Sequence, residues 1–156
     1  MGVVGAGKTT VGRLLAAELG WEFADADDFH PESNVEKIRR GIGLGDDDRE
    51  PWLLRVRDQV VRWIEEGRNG VLACSALKRR YRDVLAVGPG VVFVHLKGDR
   101  ALIAERLRAR TGHFAGESIL ESQLADLEEP AEATVVDLGL SPERIVAQIR
   151  DRLRLP

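Results

Sequence analysis

Eight residues near the start of the sequence, Gly2-Val3-Val4-Gly5-Ala6-Gly7-Lys8-Thr9, carry the spacing G-x-x-x-x-G-K-[ST]. Glycines at those places let successive backbone N–H groups turn inward around phosphate oxygens, and a helix starting at the lysine adds its positive dipole end. Lys8 is then suited to the outer phosphates of a nucleoside triphosphate, and the Thr9 hydroxyl to Mg²⁺. Gly2, Gly5, Ala6, Gly7, Lys8, Thr9 and Thr10 are the candidate nucleotide-binding residues. A glycine turn that merely starts a helix would require neither Lys8 nor Thr9.

A phosphate loop does not say where the phosphoryl group goes, so the acceptor side must be sought elsewhere. Asp25-Ala26-Asp27-Asp28-Phe29-His30 falls at the carboxyl end of an expected strand, where open parallel sheets place ligands. Period-two alternation sets Asp25 and Asp27 on one side. One carboxylate suits a metal's water shell and the other suits accepting a proton from an attacking hydroxyl; the plain alternative is an acidic turn that caps a helix. Asp46, Asp47 and Asp48 fit a helix start, whereas Arg49 beside them opposes the helix dipole, which a ligand anion would explain.

Ser75-Ala76-Leu77-Lys78-Arg79-Arg80-Tyr81 offers a hydroxyl and several cations to a polar anionic substrate, with Arg80 and Arg82 read as surface residues. Arg106 and Arg110 stand four apart on one expected helix, and Arg108 between them is read as surface. They precede Thr111-Gly112-His113-Phe114-Ala115-Gly116, whose two glycines suit a hinge. A lid carrying arginines over phosphates neutralises transition-state charge and excludes water. His113 stays open between substrate contact and simple packing.

The elements that must hold these residues alternate between short apolar runs and helical periods, the βα pattern of a parallel sheet. Helices are expected over 7–19, weakly over 33–40, from Pro51 to Gly67, and over 77–86, 99–110, 118–128 and from Ser141 onward. Strands are expected at 21–25, 70–74, 91–96 and 134–137, with a longer excursion at 109–119. The 156 residues predict one α/β domain, 1–156, as a three-layer α/β/α sandwich. With 23 basic against 26 acidic residues a nucleic-acid binder is not expected. No apolar run is long enough for a membrane span, and one cysteine with no signal region predicts a cytoplasmic setting.

Taken together, these segments resemble the small gluconate kinases, a branch of the P-loop carbohydrate kinases similar in fold to shikimate and nucleoside monophosphate kinases. The matching blocks are residues 2–10, Asp25 to Pro31 with Asn34, Leu44 to Leu53, Cys74 to Asp83, and Arg110 with Gly112-His113-Phe114. Ser122-Gln123-Leu124, Leu127-Glu128 and Pro130 extend the match over nearly the whole sequence.

The resemblance implies ATP- and Mg²⁺-dependent phosphorylation of D-gluconate at its terminal hydroxyl by a P-loop kinase with a five-stranded parallel sheet, a mobile lid and often a homodimeric state. It implies that Asp25 assists the metal and that Asp27 is the base. It implies that His30, Arg49, Lys78 and Arg79 hold the gluconate, with His113 beside it, and that Arg106 and Arg110 close over ATP. Ala115 and Gly116 depart from the family's methionine followed by proline or lysine, which implies looser closure, and Gly43 stands where the family tends to have proline. Competing readings are a kinase for shikimate or a nucleotide, and an ATP-binding module without turnover. An apolar strand normally feeds the glycine loop, and its absence ahead of Gly2 predicts that Met1 is an internal methionine of a longer chain.

Overall fold

The computed structural model describes residues 1–40, 42–111 and 115–156. The glycine loop runs directly into α1 (Lys8–Leu19), which Gly20 ends in a left-handed conformation while Trp21 N–H donates to Ala16 C=O. After β1 (Glu22–Asp25), a 3-10 turn (Ala26–Phe29) leads to α2 (Glu32–Arg39), α3 (Asp46–Glu65) and β2 (Gly70–Ala73). Then come α4 (Arg79–Leu85), β3 (Val94–Lys97), α5 (Arg100–Thr111), α6 (Ala115–Asp126), β4 (Thr134–Asp137) and α7 (Pro142–Leu153). Ser141 caps α7, its Oγ accepting from Arg144 N–H.

The strands pair in parallel: β1 with β2 in the register Glu22↔Gly70, and β3 with β4 in the register Val94↔Thr134. Parallel neighbours need helical crossovers, supplied by α2 and α3 in one pair and by α5 and α6 in the other. Alternation on β2 sends Val71 to one apolar cluster and Leu72 to the other, so helices cover both faces. Val11, Leu15, Ile103, Ile145 and Ile149 bring α1, α5 and α7 to the first cluster. Trp52, Val56, Tyr81 and Leu85 bring α3 and α4 to the second.

Met1 and Gly2 bridge the two sheets. Met1 accepts from Leu96 N–H and donates to Val94 C=O, while Gly2 N–H donates to Ser75 C=O. Behind them a cavity of about 550 Å³ runs between β2 and β3, lined by Val71, Ala73, Phe93, Leu96 and Trp63.

Three expectations change. The strand expected at 91–96 begins only at Val94, because β4 is four residues long and offers no ladder to Val91 and Val92. The helix expected from Pro51 begins at Asp46: Asp48 accepts from Gly45 N–H, Arg49 N–H donates to Gly45 C=O, and Pro51 sits in the second turn. The 109–119 excursion is helical up to Thr111 and again from Ala115.

Candidate active site

Gly2, Gly5 and Gly7 all take positive φ, at 145°, 79° and 88°. At Gly5 an added Cβ would lie 2.8 Å from Leu107 Cγ, so glycine is needed there both for its dihedral and because α5 closes on the loop. Ala6 N–H donates to Val3 C=O, tightening the turn, and Val4 N–H donates to Gln123 Oε1 of α6 at 2.6 Å. Lys8 folds back to donate from Nζ to Val3 C=O at 3.0 Å. Burial lowers its pKa, opposed chiefly by Asp27.

The acidic turn is joined to this loop through one hydroxyl. Thr9 Oγ1 donates to Asp25 Oδ2 at 2.7 Å, and Asp25 Oδ1 accepts from Asp27 N–H at 3.1 Å. Asp25 thereby caps the 3-10 turn and leaves the Asp27 carboxylate free of its own backbone. Burial, then the Asp25 charge, raise the Asp27 pKa, with His30 and Lys8 opposing. A carboxylate shifted in that direction is a better proton acceptor near neutral pH.

Trp52 fixes the far side of the turn. Its Nε1–H donates to Ala26 C=O at 2.6 Å, and its ring stacks on His30 with centroids 4.8 Å apart. Asn34, 2% exposed, donates from Nδ2 to Asp48 C=O at 2.7 Å and lies 3.3 Å from His30 Nδ1. An amide nitrogen only donates, so Nδ1 accepts and the neutral ring carries its proton on Nε2. Burial lowers the His30 pKa, which favours that neutral ring.

Across from the turn, α3, α4 and α6 converge on a charged cluster. Arg49 Nη1 donates to Tyr81 Oη at 3.2 Å and lies 3.5 Å from Asp126 Oδ2. Lys78 Nζ lies 3.4 Å from Asp46 Oδ1 and 3.5 Å from Asp126 Oδ1. The Tyr81 hydroxyl donates to Asp46 Oδ1 at 2.6 Å, and Arg80 pairs with the same oxygen. Tyr81 and then Arg80 hold the Asp46 carboxyl well below the usual carboxylate range.

A family model described as shikimate kinase matches residues 4–154. The thermosensitive gluconokinase of Escherichia coli strain K12 is 40% identical over 157 residues, covering 99% of this chain and 83% of that protein. The chain belongs to the gluconokinase family. Two crystal structures carry the likeness into three dimensions. A gluconokinase from Sinorhizobium meliloti 1021 matches with a TM-score of 0.84 at 38% identity, covering 99% of this chain and 93% of that one. An unliganded sugar kinase from Janibacter sp. HTCC2649 matches at 0.88 and 45%, covering 99% and 92%. The fold is that of the α/β P-loop kinases.

Against that gluconokinase background the expected residues divide. Lys8, Thr9, Asp25, Asp27 and His30 line one edge, and Arg49 and Lys78 share the cluster opposite. Arg79 stands apart: its side chain is 79% exposed and pairs with Asp83 one turn on, while its N–H donates to Glu128. Arg106 donates from Nη2 to Leu138 C=O at 2.8 Å, bracing α5 against the turn after β4. The side chain of Arg110, and His113 as a whole, lie outside the described residues.

Of the two arginines read as surface residues, one stays there and one does not. Arg80 is exposed, where it pairs with Asp46 and covers the Tyr81 ring at 5.1 Å. Arg82 is 2% exposed and donates to Ala76 and Leu77 C=O and to Glu132. Tyr81, Asp46, Asp126 and Gln123 were not anticipated as site residues. Burial pushes the Cys74 thiol up to about 11, which makes it an inert core residue.

Proposed function

We propose that this chain transfers the γ-phosphoryl group of ATP to the 6-hydroxyl of D-gluconate, giving 6-phospho-D-gluconate and ADP. The observation that carries the reading is the chain of contacts from Lys8 and Thr9 through Asp25 to Asp27, which sets a phosphate loop beside a carboxylate with a raised pKa. In the reaction the acceptor oxygen bonds to the γ-phosphorus, the bond from that phosphorus to the β,γ-bridging oxygen breaks, and Asp27 takes the hydroxyl proton. Lys8 exchanges Val3 C=O for phosphate oxygens, while Arg49 and Lys78 hold the acid end of the sugar, with His30 and Trp52 forming the wall beside Asp27.

Thr9 and Asp25 present adjacent oxygen donors, a set that suits Mg²⁺, which keeps several waters and takes only one or two protein ligands. The ion supplies neutralisation of the phosphate charge. The same reading takes residues 109–119, with Arg110 and His113, as the lid, and the two sheets as parts of one five-stranded sheet. It places the enzyme in the cytoplasm; no helix among the described residues is long and apolar enough to cross a membrane.

A coupled ADP-release assay over gluconate, other sugar acids, shikimate and nucleoside monophosphates tests the assignment. Turnover is expected with gluconate and at background level with shikimate and the nucleotides. Gluconate at background beside an active shikimate reaction would replace it with the shikimate-type reading.

A further inference from the structure

Asp126 is the last residue of α6, where the negative end of the helix dipole disfavours a carboxylate. It nevertheless points one oxygen at each of two cations: Oδ2 lies 3.5 Å from Arg49 Nη1, and Oδ1 lies 3.5 Å from Lys78 Nζ. Both separations exceed the 2.7–2.9 Å of a well-formed charge-assisted hydrogen bond. The cluster's other carboxylate is held differently. Asp46 takes the Tyr81 hydroxyl at 2.6 Å and is paired with Arg80 as well. The Tyr81 that anchors it is itself 7% exposed. Of the two carboxylates, Asp46 is therefore fixed and Asp126 loosely held, and the cations that Asp126 bridges are partly open, with Lys78 23% and Arg49 27% exposed.

The geometry points to Asp126 as an internal stand-in for the acceptor's carboxylate: it bridges Arg49 and Lys78 and yields them when a sugar acid binds. The inference rests on the gluconokinase reading above. Its chemistry is an exchange of like for like. The acceptor's carboxylate takes over two cationic contacts that are already spaced for a two-oxygen anion, and Asp126 turns out to water. A neutral polyol of the same length has no group that can make the exchange and must leave Asp126 in place. Asp126 is thus a specificity-determining residue: by competing with every acid that binds, it narrows the margin by which the site prefers acids over alcohols.

The test is Asp126→Asn, which keeps the shape and removes the charge, beside Asp126→Ser and the parent chain. Steady-state kinetics with gluconate and calorimetric titration of gluconate without nucleotide are run on all three, with thermal melts confirming the fold. Asp126→Asn is expected to lower KM and Kd for gluconate about three- to tenfold, the scale of losing one competing pair of partly exposed ion contacts. KM for ATP should stay within about twofold, and Kd for glucitol, the neutral six-carbon alcohol, should not fall. Gluconate affinity that is unchanged or weaker in both folded variants overturns the inference, since it would make Asp126 a direct ligand or a bystander. Absence of turnover in the parent chain would instead overturn the functional reading, and the calorimetric comparison would still decide the role of Asp126.

Discussion

The proposed phosphate side of the site is built from backbone within one unbroken stretch, whereas the proposed acceptor side is built from side chains that four separate elements bring together. Residues 2–9 owe their shape to three positive φ angles and to the close seat of Gly5 against α5. Asp27, His30, Arg49, Lys78 and Asp126 come from the 3-10 turn, its C-terminal edge, α3, the approach to α4 and α6. Backbone N–H groups recognise a phosphate whatever side chains surround them, so that half tolerates little change in conformation and much in composition. The acceptor half behaves in the opposite way: its scaffold can shift slightly, but each charge has a particular partner.

The largest break in that contrast comes from Asp27→Asn, which should reduce kcat by about 10² to 10⁴-fold with KM for ATP nearly unchanged, read by steady-state kinetics. An unaltered kcat would reduce Asp27 to a residue of the turn and leave the acceptor half without its base. Next are two glycines of the phosphate half. Gly5→Ala, forced against Leu107 at 2.8 Å, should cost about 2–4 kcal/mol in urea unfolding. Gly7→Ala has nothing within 4 Å of the new Cβ and should cost about 1 kcal/mol for its φ alone. Equal losses would mean that dihedral preference, and not contact with α5, shapes the loop. The smallest effect is Arg49→Lys, expected to raise KM for gluconate about three- to tenfold through loss of the planar fork. A rise in KM for ATP instead would move Arg49 to the phosphate half and blur the division.

The same contrast explains what could be read before any coordinates. The glycine loop announces itself because its chemistry is local, and the pair Asp25 and Asp27 follows from strand alternation near it. The helices α1 and α7 and strand β4 were legible from period and caps, since Gly20 and Ser141 act on their immediate neighbours. Arg82 departs from its surface reading because it sits two residues from the exposed Arg80 on a polar helix, where periodicity alone cannot say which arginine turns inward. Asp126 carries no local signal at all. It lies 77 residues from Arg49, and only the return of α6 over the sheet edge brings the two together. The late start of β3 reflects the length of its partner, which the apolar run at 91–96 does not encode.

Helix α6 touches both halves at once: Gln123 takes the Val4 N–H of the glycine loop, and three residues later Asp126 bridges Arg49 and Lys78. Any ligand that displaces one of these contacts changes the free energy of the helix that makes the other. Such coupling is reciprocal by thermodynamic necessity, so whatever factor the sugar acid contributes to ATP affinity, ATP returns to the sugar acid. The helix is thus where any mutual effect of the two substrates is carried, as one factor common to both, while each substrate's own affinity stays separately tunable.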